Sequence, residues 1–238
     1  MLTAIFADIH SNIEALKTAV REAEERGISK FAVLGDTVGY GANPNECLEW
    51  ALEFADICLM GNHEQAVFDP AVRDWFNPEA RAAIEWTAKE LDQNLIDRLH
   101  SLPFAKLSAA AAFAHGSPDE PEKFRYLLGG RDAAPSFNAF KAKVCFVGHT
   151  HVPSCFCEKS GEASYLMPGV IQLKKGERYI LNPGSVGQPR DRDPRLSFGV
   201  YDDQRQTFEI VRLVYPKQRA AAKIRKAGLP AWLAERLL

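Results

Sequence analysis

Apolar residues fall along this chain in short continuous runs separated by stretches of helical spacing. Residues 2–7, LTAIFA, form a run, apolar except for Thr3, of the kind a strand shows when both of its faces are buried. SNIEALKTAVREAEERG then places Ile13, Leu16, Val20 and Ala23 on one helical face, with Gly27 as its C-terminal cap. KFAVLGD is a second apolar strand. NPNECLEWALEF predicts a helix with Asn43 as N-cap, Pro44 at the first helical position and Glu46 completing a capping box. DICLMG is a third strand. Strand and helix therefore alternate over the first 60 residues, which predicts parallel strands covered by helices.

Residues 63–100 read as helix-rich, with a second Asn-Pro start at Asn77-Pro78, and either shield a site or complete the fold. After SLPFAKLSAAAAFAHG the texture changes. From residue 143 short strands are separated by Gly, Pro and Asn turns, ending in RLSFGVYD and QTFEIVRLVY. KQRAAAKIRKAGLPAWLAERLL, residues 217–238, is helical with a break at Gly228–Pro230. No repeat, low-complexity tract or linker interrupts the chain, so residues 1–238 are expected to form one domain with a two-layer β core wrapped in helices.

Composition removes several function classes. Hydrophobic residues make up 46% and charged residues 25%, with a net charge of −2 and both signs interspersed. No basic footprint for long nucleic acid or for a membrane surface is present. The apolar start breaks at Asp8 without a preceding basic region, so no signal peptide is expected. No segment approaches the roughly 20 apolar residues of a membrane-spanning helix. The five cysteines, an odd count lying partly in strand-like runs, suit reduced thiols and a cytoplasmic location. Cys155 and Cys157 share one strand face and read as packing, as do Cys47, Trp50, Trp75 and Trp86.

The unusual residues stand at strand ends, where open α/β sheets place their ligands. The first strand runs into Asp8-Ile9-His10, the second into Gly35-Asp36, and the third into Gly61-Asn62-His63-Glu64. AAAAFAHG ends at His115, and KVCFVGHTHVP carries His149 and His151. In an extended segment, residues two apart point the same way, so Asp8 with His10, and His149 with His151, would converge. Any one of them alone reads as a turn cap or a hydrogen-bonded core histidine. Burying all of them without a cation would cost several kcal/mol each. Imidazoles, carboxylates and one amide oxygen, with no thiolate, suit Mn, Fe, Co, Ni or Zn.

This ordered set of blocks resembles the calcineurin-like metallophosphoesterase family, and all five blocks are intact. LNPGSVGQPRDRDPR, later in the chain, resembles a bacterial branch of small phosphodiesterases and diadenosine-polyphosphate hydrolases. The resemblance implies an α/β fold of αββα type, two mixed sheets flanked by helices, with two divalent metal ions at one sheet edge. Carried over by position, it implies that Asp8, His10 and His151 hold one ion and that Asn62, His115 and His149 hold the other. Asp36 would bridge them, and His63 would be a non-ligand beside the phosphate, assisting the leaving oxygen. Two ions about 3.5–4 Å apart lower the pKa of a shared water and neutralise phosphate charge.

The protein-phosphatase members of the family carry GD-x-x-D-R-G, whereas this chain has Gly39 and Tyr40 at the last Asp and Arg. A phosphoprotein substrate is therefore disfavoured. Tyr40 and Asn43, on the loop after Asp36, are candidate substrate contacts, and Arg190 is a candidate phosphate contact. Arg192 and Arg195 read as solvated charge. EKFRYLL, with Phe124, Arg125 and Tyr126, reads as a packed surface helix, with a pocket-lining role as the alternative. The expected activity is hydrolysis of a small phosphorylated substrate: a phosphodiester or a nucleotide phosphoanhydride, with dinucleoside polyphosphate the specific candidate. A broad phosphomonoesterase is the alternative. A non-catalytic scaffold is disfavoured, because all eight family positions are kept.

Overall fold

The computed structural model describes residues 1–160 and 163–238. The chain opens as β1 (Leu2–Phe6), α1 (Ile13–Glu25), β2 (Phe31–Val33), α2 (Pro44–Phe54) and β3 (Ile57–Cys58). Four helices follow: α3 (Asn62–Phe68), α4 (Pro70–Arg73), α5 (Pro78–Glu90) and α6 (Gln93–Leu99). Then come β4 (Ala105–Leu107), β5 (Ala112–Ala114), α7 (Gly130–Ser136), β6 (Val144–Phe146), β7 (Ser154–Cys157) and β8 (Ala163–Tyr165). The last part holds β9 (Gly169–Gln172), β10 (Tyr179–Asn182), β11 (Leu196–Asp202), β12 (Thr207–Leu213), α8 (Lys217–Lys226) and α9 (Ala231–Glu235). No described helix is long and apolar enough to cross a membrane.

Two mixed six-stranded sheets result, in the orders β3-β2-β1-β11-β12-β9 and β4-β5-β6-β10-β7-β8. The parallel steps β1–β2 and β2–β3 follow from the helical crossovers through α1 and α2. β1 also pairs antiparallel with β11, joining Ile5 to Gly199 across most of the chain.

The largely apolar run of β1 has a simple cause: both faces of the strand are covered. Ala4 and Phe6 face a cluster with Leu16, Ala19, Phe198, Ile224 and Leu233, under α1, α8 and α9. Ile5 and Ala7 face the other way and meet Val144, Phe146 and Leu181 of the second sheet. A third cluster, including Ala133, Phe137 and Ile180, covers that sheet's outer side with α7. The layers are helix, sheet, sheet, helix. Val38, Leu48, Val67, Leu91 and Leu95 form a separate cluster that fastens α3, α5 and α6 beside α2.

Local signals explain most boundaries. Asn12 accepts a hydrogen bond from Ala15 N and caps α1, while Gly27, at φ +74°, ends it. Asn77 caps α5 by accepting from Ala80 N, with Pro78 next to it. Two expectations need correction. Asn43 does occupy the N-cap of α2, but its side chain makes no cap bond; its Nδ2 donates to Glu46 Oε1 and its Oδ1 accepts from Lys223. EKFRYLL is not a helix. Only a single 3-10 turn, Pro121–Lys123, forms, and Phe124 at φ +47° breaks it.

Candidate metal centre

The candidate ligands gather just beyond β1, β2, β5 and β6 and at the N-terminus of α3, and their donor atoms form two lobes. Asp8, His10, Asp36 and His151 offer donor atoms all within 4.8 Å of one another, and so do Asp36, His115 and His149. Asn62 Oδ1 joins the second lobe, 3.2 Å from His115 Nε2. Asp36 belongs to both, with its Oδ2 3.2 Å from His115 Nε2 and 3.7 Å from His10 Nε2. The Asp and His members are all buried.

The convergence does not come from extended pairs, as alternation along a strand would have it. Asp8, His10, Asp36, His149 and His151 have φ of 54°, 49°, 53°, 67° and 60°, all in the left-handed region. Each lies past its strand's end, and the chain turns at each one. His149 and His151 consequently diverge: His149 Nδ1 lies 3.1 Å from His115 Nε2, whereas His151 Nε2 lies 3.1 Å from His10 Nε2. Left-handed backbone at non-glycine residues costs about 1–3 kcal/mol each and persists where the surroundings over-determine it.

The ring nitrogens test whether a cation fits. His10 Nδ1 faces Val38 O at 3.1 Å, His115 Nδ1 faces Leu34 O at 3.0 Å, and His151 Nδ1 faces Gln188 O at 2.6 Å. A carbonyl only accepts, so each Nδ1 must donate, and in the neutral ring each Nε2 is left with a lone pair. His10 and His151 therefore aim two lone pairs at each other across 3.1 Å. Such an array repels itself unless a cation or proton stands between, and carbonyl-held Nδ1–H groups are how metal-ligating histidines are oriented. The donor set fits metal.

Burial holds His10, His149 and His151 well below the ordinary imidazole value, hence neutral. Burial also pulls His115 down, but the Asp36 carboxylate in contact with it prevails and raises it to about 9. Asp36 shows the reciprocal effect, held well below the carboxylate range by His115 and His63 despite burial. Burial pushes Asp8 up to about 8. In the chain alone, the site thus retains protons that a cation would displace.

Several supporting residues were not singled out from the sequence. Glu64, fully buried, accepts from the backbone N–H groups of Asp36, Thr37, Val38 and Gly61, tying the loop after β2 to the start of α3. Burial and nearby Asp36 push its carboxyl up to about 7 against the pull of those donors. Its place directly after His63 was the available signal. In the Asn-Pro-Gly-Ser stretch, Asn182 Nδ2 donates to Gly148 O at 2.7 Å, and Ser185 Oγ donates to Asp8 O at 2.8 Å. That stretch braces the loops carrying Asp8, His149 and His151. Gly187 is required there, since a Cβ would sit 1.8 Å from Ile9 O.

A cleft of about 590 Å³ opens onto Asp36, Asn62, His149 and His151. His63 also lines it, with its ring 4.6 Å from that of His10, 4.5 Å from Tyr40 and 4.8 Å from Phe76, and its Nε2 4.0 Å from Asp36 Oδ2. Burial lowers His63 to about 4. Its Nδ1 has no partner among the described residues and presses on Gly39, where a Cβ would lie 2.1 Å away. Tyr40 lines the cleft, and Arg190 lies with its guanidinium 6.0 Å from the Tyr40 ring centre. Asn43 does not line it, because Glu46 and Lys223 hold its side chain. Phe124, Arg125 and Tyr126 do, freed by the broken helix. Trp75, read above as packing, is 78% exposed and also lines the cleft. Trp50 and Trp86 pack against the core as expected.

An αββα sandwich with a two-lobed, buried His/Asp/Asn cluster at its strand ends, open to a cleft, is the architecture of a metallophosphoesterase. The chain belongs to the calcineurin-like phosphoesterase superfamily, whose domain matches residues 1–206. It is 38% identical to an uncharacterised protein of Methanocaldococcus jannaschii, over 99% of this chain and 97% of that one. The crystal structure of a metallophosphoesterase from Sphaerobacter thermophilus superposes with a TM-score of 0.90 at 37% identity, covering 100% of this chain and 98% of the other. A hypothetical protein of Pyrococcus horikoshii shares the fold, with a TM-score of 0.77 at 20% identity over 99% and 97% of the two chains. The protein is accordingly a metal-dependent hydrolase of phosphate esters.

Proposed function

We propose that the protein holds two divalent transition-metal ions and hydrolyses a phosphodiester. Asp8, His10 and His151 would hold one ion, Asn62, His115 and His149 the other, and Asp36 both. The single observation behind this is the two-lobed convergence of buried donors on Asp36, with the Nε2 lone pairs of His10 and His151 facing each other at 3.1 Å. When bound, such ions supply Lewis acidity toward phosphate oxygens and toward water. The chain's own residues do the rest. Backbone carbonyls of Val38, Leu34 and Gln188 fix the histidine tautomers. His63, packed between Tyr40 and Phe76, is placed to hydrogen-bond the leaving oxygen. Arg190, which lines the cleft, donates from Nη2 to Gln188 Oε1 and has no carboxylate partner among the described residues, offers the rest of its guanidinium to a phosphate oxygen.

Charge favours a diester. Lys123 and Arg125, the other basic side chains on the cleft, are paired with Glu120 and Asp119. That leaves one guanidinium for one anionic phosphate. A nucleotide phosphoanhydride, dinucleoside polyphosphate included, is the second reading and requires those ion pairs to open. The five free cysteines support a reducing compartment such as the cytoplasm. Turnover of bis(p-nitrophenyl) phosphate and p-nitrophenyl phosphate by the Mn-reconstituted protein, with metal content by elemental analysis, tests this reading. The diester should be preferred, and Asp36→Asn should abolish turnover and lower metal content. Full activity of Asp36→Asn would overturn the shared-carboxylate assignment.

A further inference from the structure

We infer that Trp75 forms a stacking subsite for a nucleobase, so that the ester on the substrate phosphate is a nucleoside. This rests on the phosphoesterase reading above and narrows its substrate. Trp75 lies in the turn between α4 and α5, where its indole is 78% exposed yet borders the cleft shared with His149 and His151. The turn that displays it is pinned on every side. Phe76 points back against His63, with ring centres 4.8 Å apart, and Asn77 caps α5. Arg73 donates to the carbonyls of Ala66 and Val67 at the end of α3. A pinned frame presenting an open indole loses little conformational freedom on binding a ring.

A second open ring borders the same cleft. Tyr126 lies flat on His149, with centres 3.9 Å apart and planes 17° off parallel, and remains 47% exposed. The cleft's 590 Å³ lies within the range of small-molecule sites and far exceeds one phosphate group. Aromatic stacking accepts any base, because every base presents a π face.

The test is calorimetric titration of the Mn-loaded protein with AMP, CMP and ribose 5-phosphate. Both nucleotides should bind about tenfold tighter than ribose 5-phosphate. Trp75→Ala should bring them down to the affinity of ribose 5-phosphate, and Trp75→Phe should restore most of the difference. Tryptophan emission should be quenched by AMP and not by ribose 5-phosphate. Equal affinity of AMP and ribose 5-phosphate for the unaltered protein, or a preference that survives Trp75→Ala, would overturn the subsite alone. Failure to turn over bis(p-nitrophenyl) phosphate and to bind any of the three ligands would overturn the phosphoesterase reading with it.

Discussion

Glu64 and Gly39 show how single residues set this site without touching a substrate. Glu64 satisfies three backbone N–H groups in the loop that carries Asp36 and a fourth, that of Gly61, at the start of α3. Glu64→Gln keeps the shape but offers one acceptor oxygen where two stood and turns an amide toward donors. It should lower stability by about 3 kcal/mol, measured by urea denaturation of the metal-free protein. Gly39, at φ +85°, leaves room for His63 Nδ1. Gly39→Ala should displace that ring and reduce kcat about a hundredfold while elemental analysis finds metal content unchanged. Loss of metal instead would show that the loop, not His63, had moved. Gly39 stands where the protein-phosphatase branch has an acid, so here His63 Nδ1 meets no carboxylate, and the ring packs among His10, Tyr40 and Phe76.

β1 and β11 carry the fold between them. Phe6 meets Phe198 edge-on at 5.3 Å and stacks on Trp50 at 5.8 Å, so one aromatic knot joins β1, β11 and α2. Phe198→Ala should cost about 3–5 kcal/mol in denaturant unfolding, with the metal lobes still formed in the folded fraction. The helices between α3 and α6 serve two ends. Leu91, just past α5, and Leu95 and Leu99 of α6 join Val38, Leu48 and Val67 in a separate core, while Val72, Trp75, Phe76, Asn77 and Ala80 wall the cleft. EKFRYLL has the apolar spacing of a helix, and Phe124, the left-handed residue that prevents one, carries no compositional mark.

Proton binding links the site to the stability of the whole molecule. In the metal-free protein His115, raised to about 9, binds its proton more tightly than its ordinary value of 6.5 allows in the unfolded chain. Its contribution is fully present below pH 6.5 and lost as pH rises through 9. Asp8, raised to about 8 from 3.8, has the same sign, so stability declines as pH climbs toward 8. Metal binds the deprotonated ligands and gains affinity over that interval. Scanning calorimetry with and without Mn should therefore find the gap in Tm widening from pH 6.5 toward 9. A gap that narrows would mean the retained protons are not on metal-facing groups.

Several features of this protein were settled by the order of residues alone: the βαβαβ start, the family blocks and the identities of the clustered side chains. Strand and helix periods are local, and Asp8, Asp36 and the histidines stand out against the apolar runs they follow. How those residues converge was decided only in three dimensions. Left-handed turns, not strand alternation, send His149 to His115 and His151 to His10, because Asp8 accepting from His149 N, Asn182 donating to Gly148 O and Gln188 O facing His151 Nδ1 hold conformations that no local propensity would choose. The pairing of β1 with β11, the release of Tyr126 and Trp75 into the cleft, and the turning away of Asn43 likewise depend on contacts between distant segments. Residue spacing encodes what a segment can bury, and only packing determines what it meets.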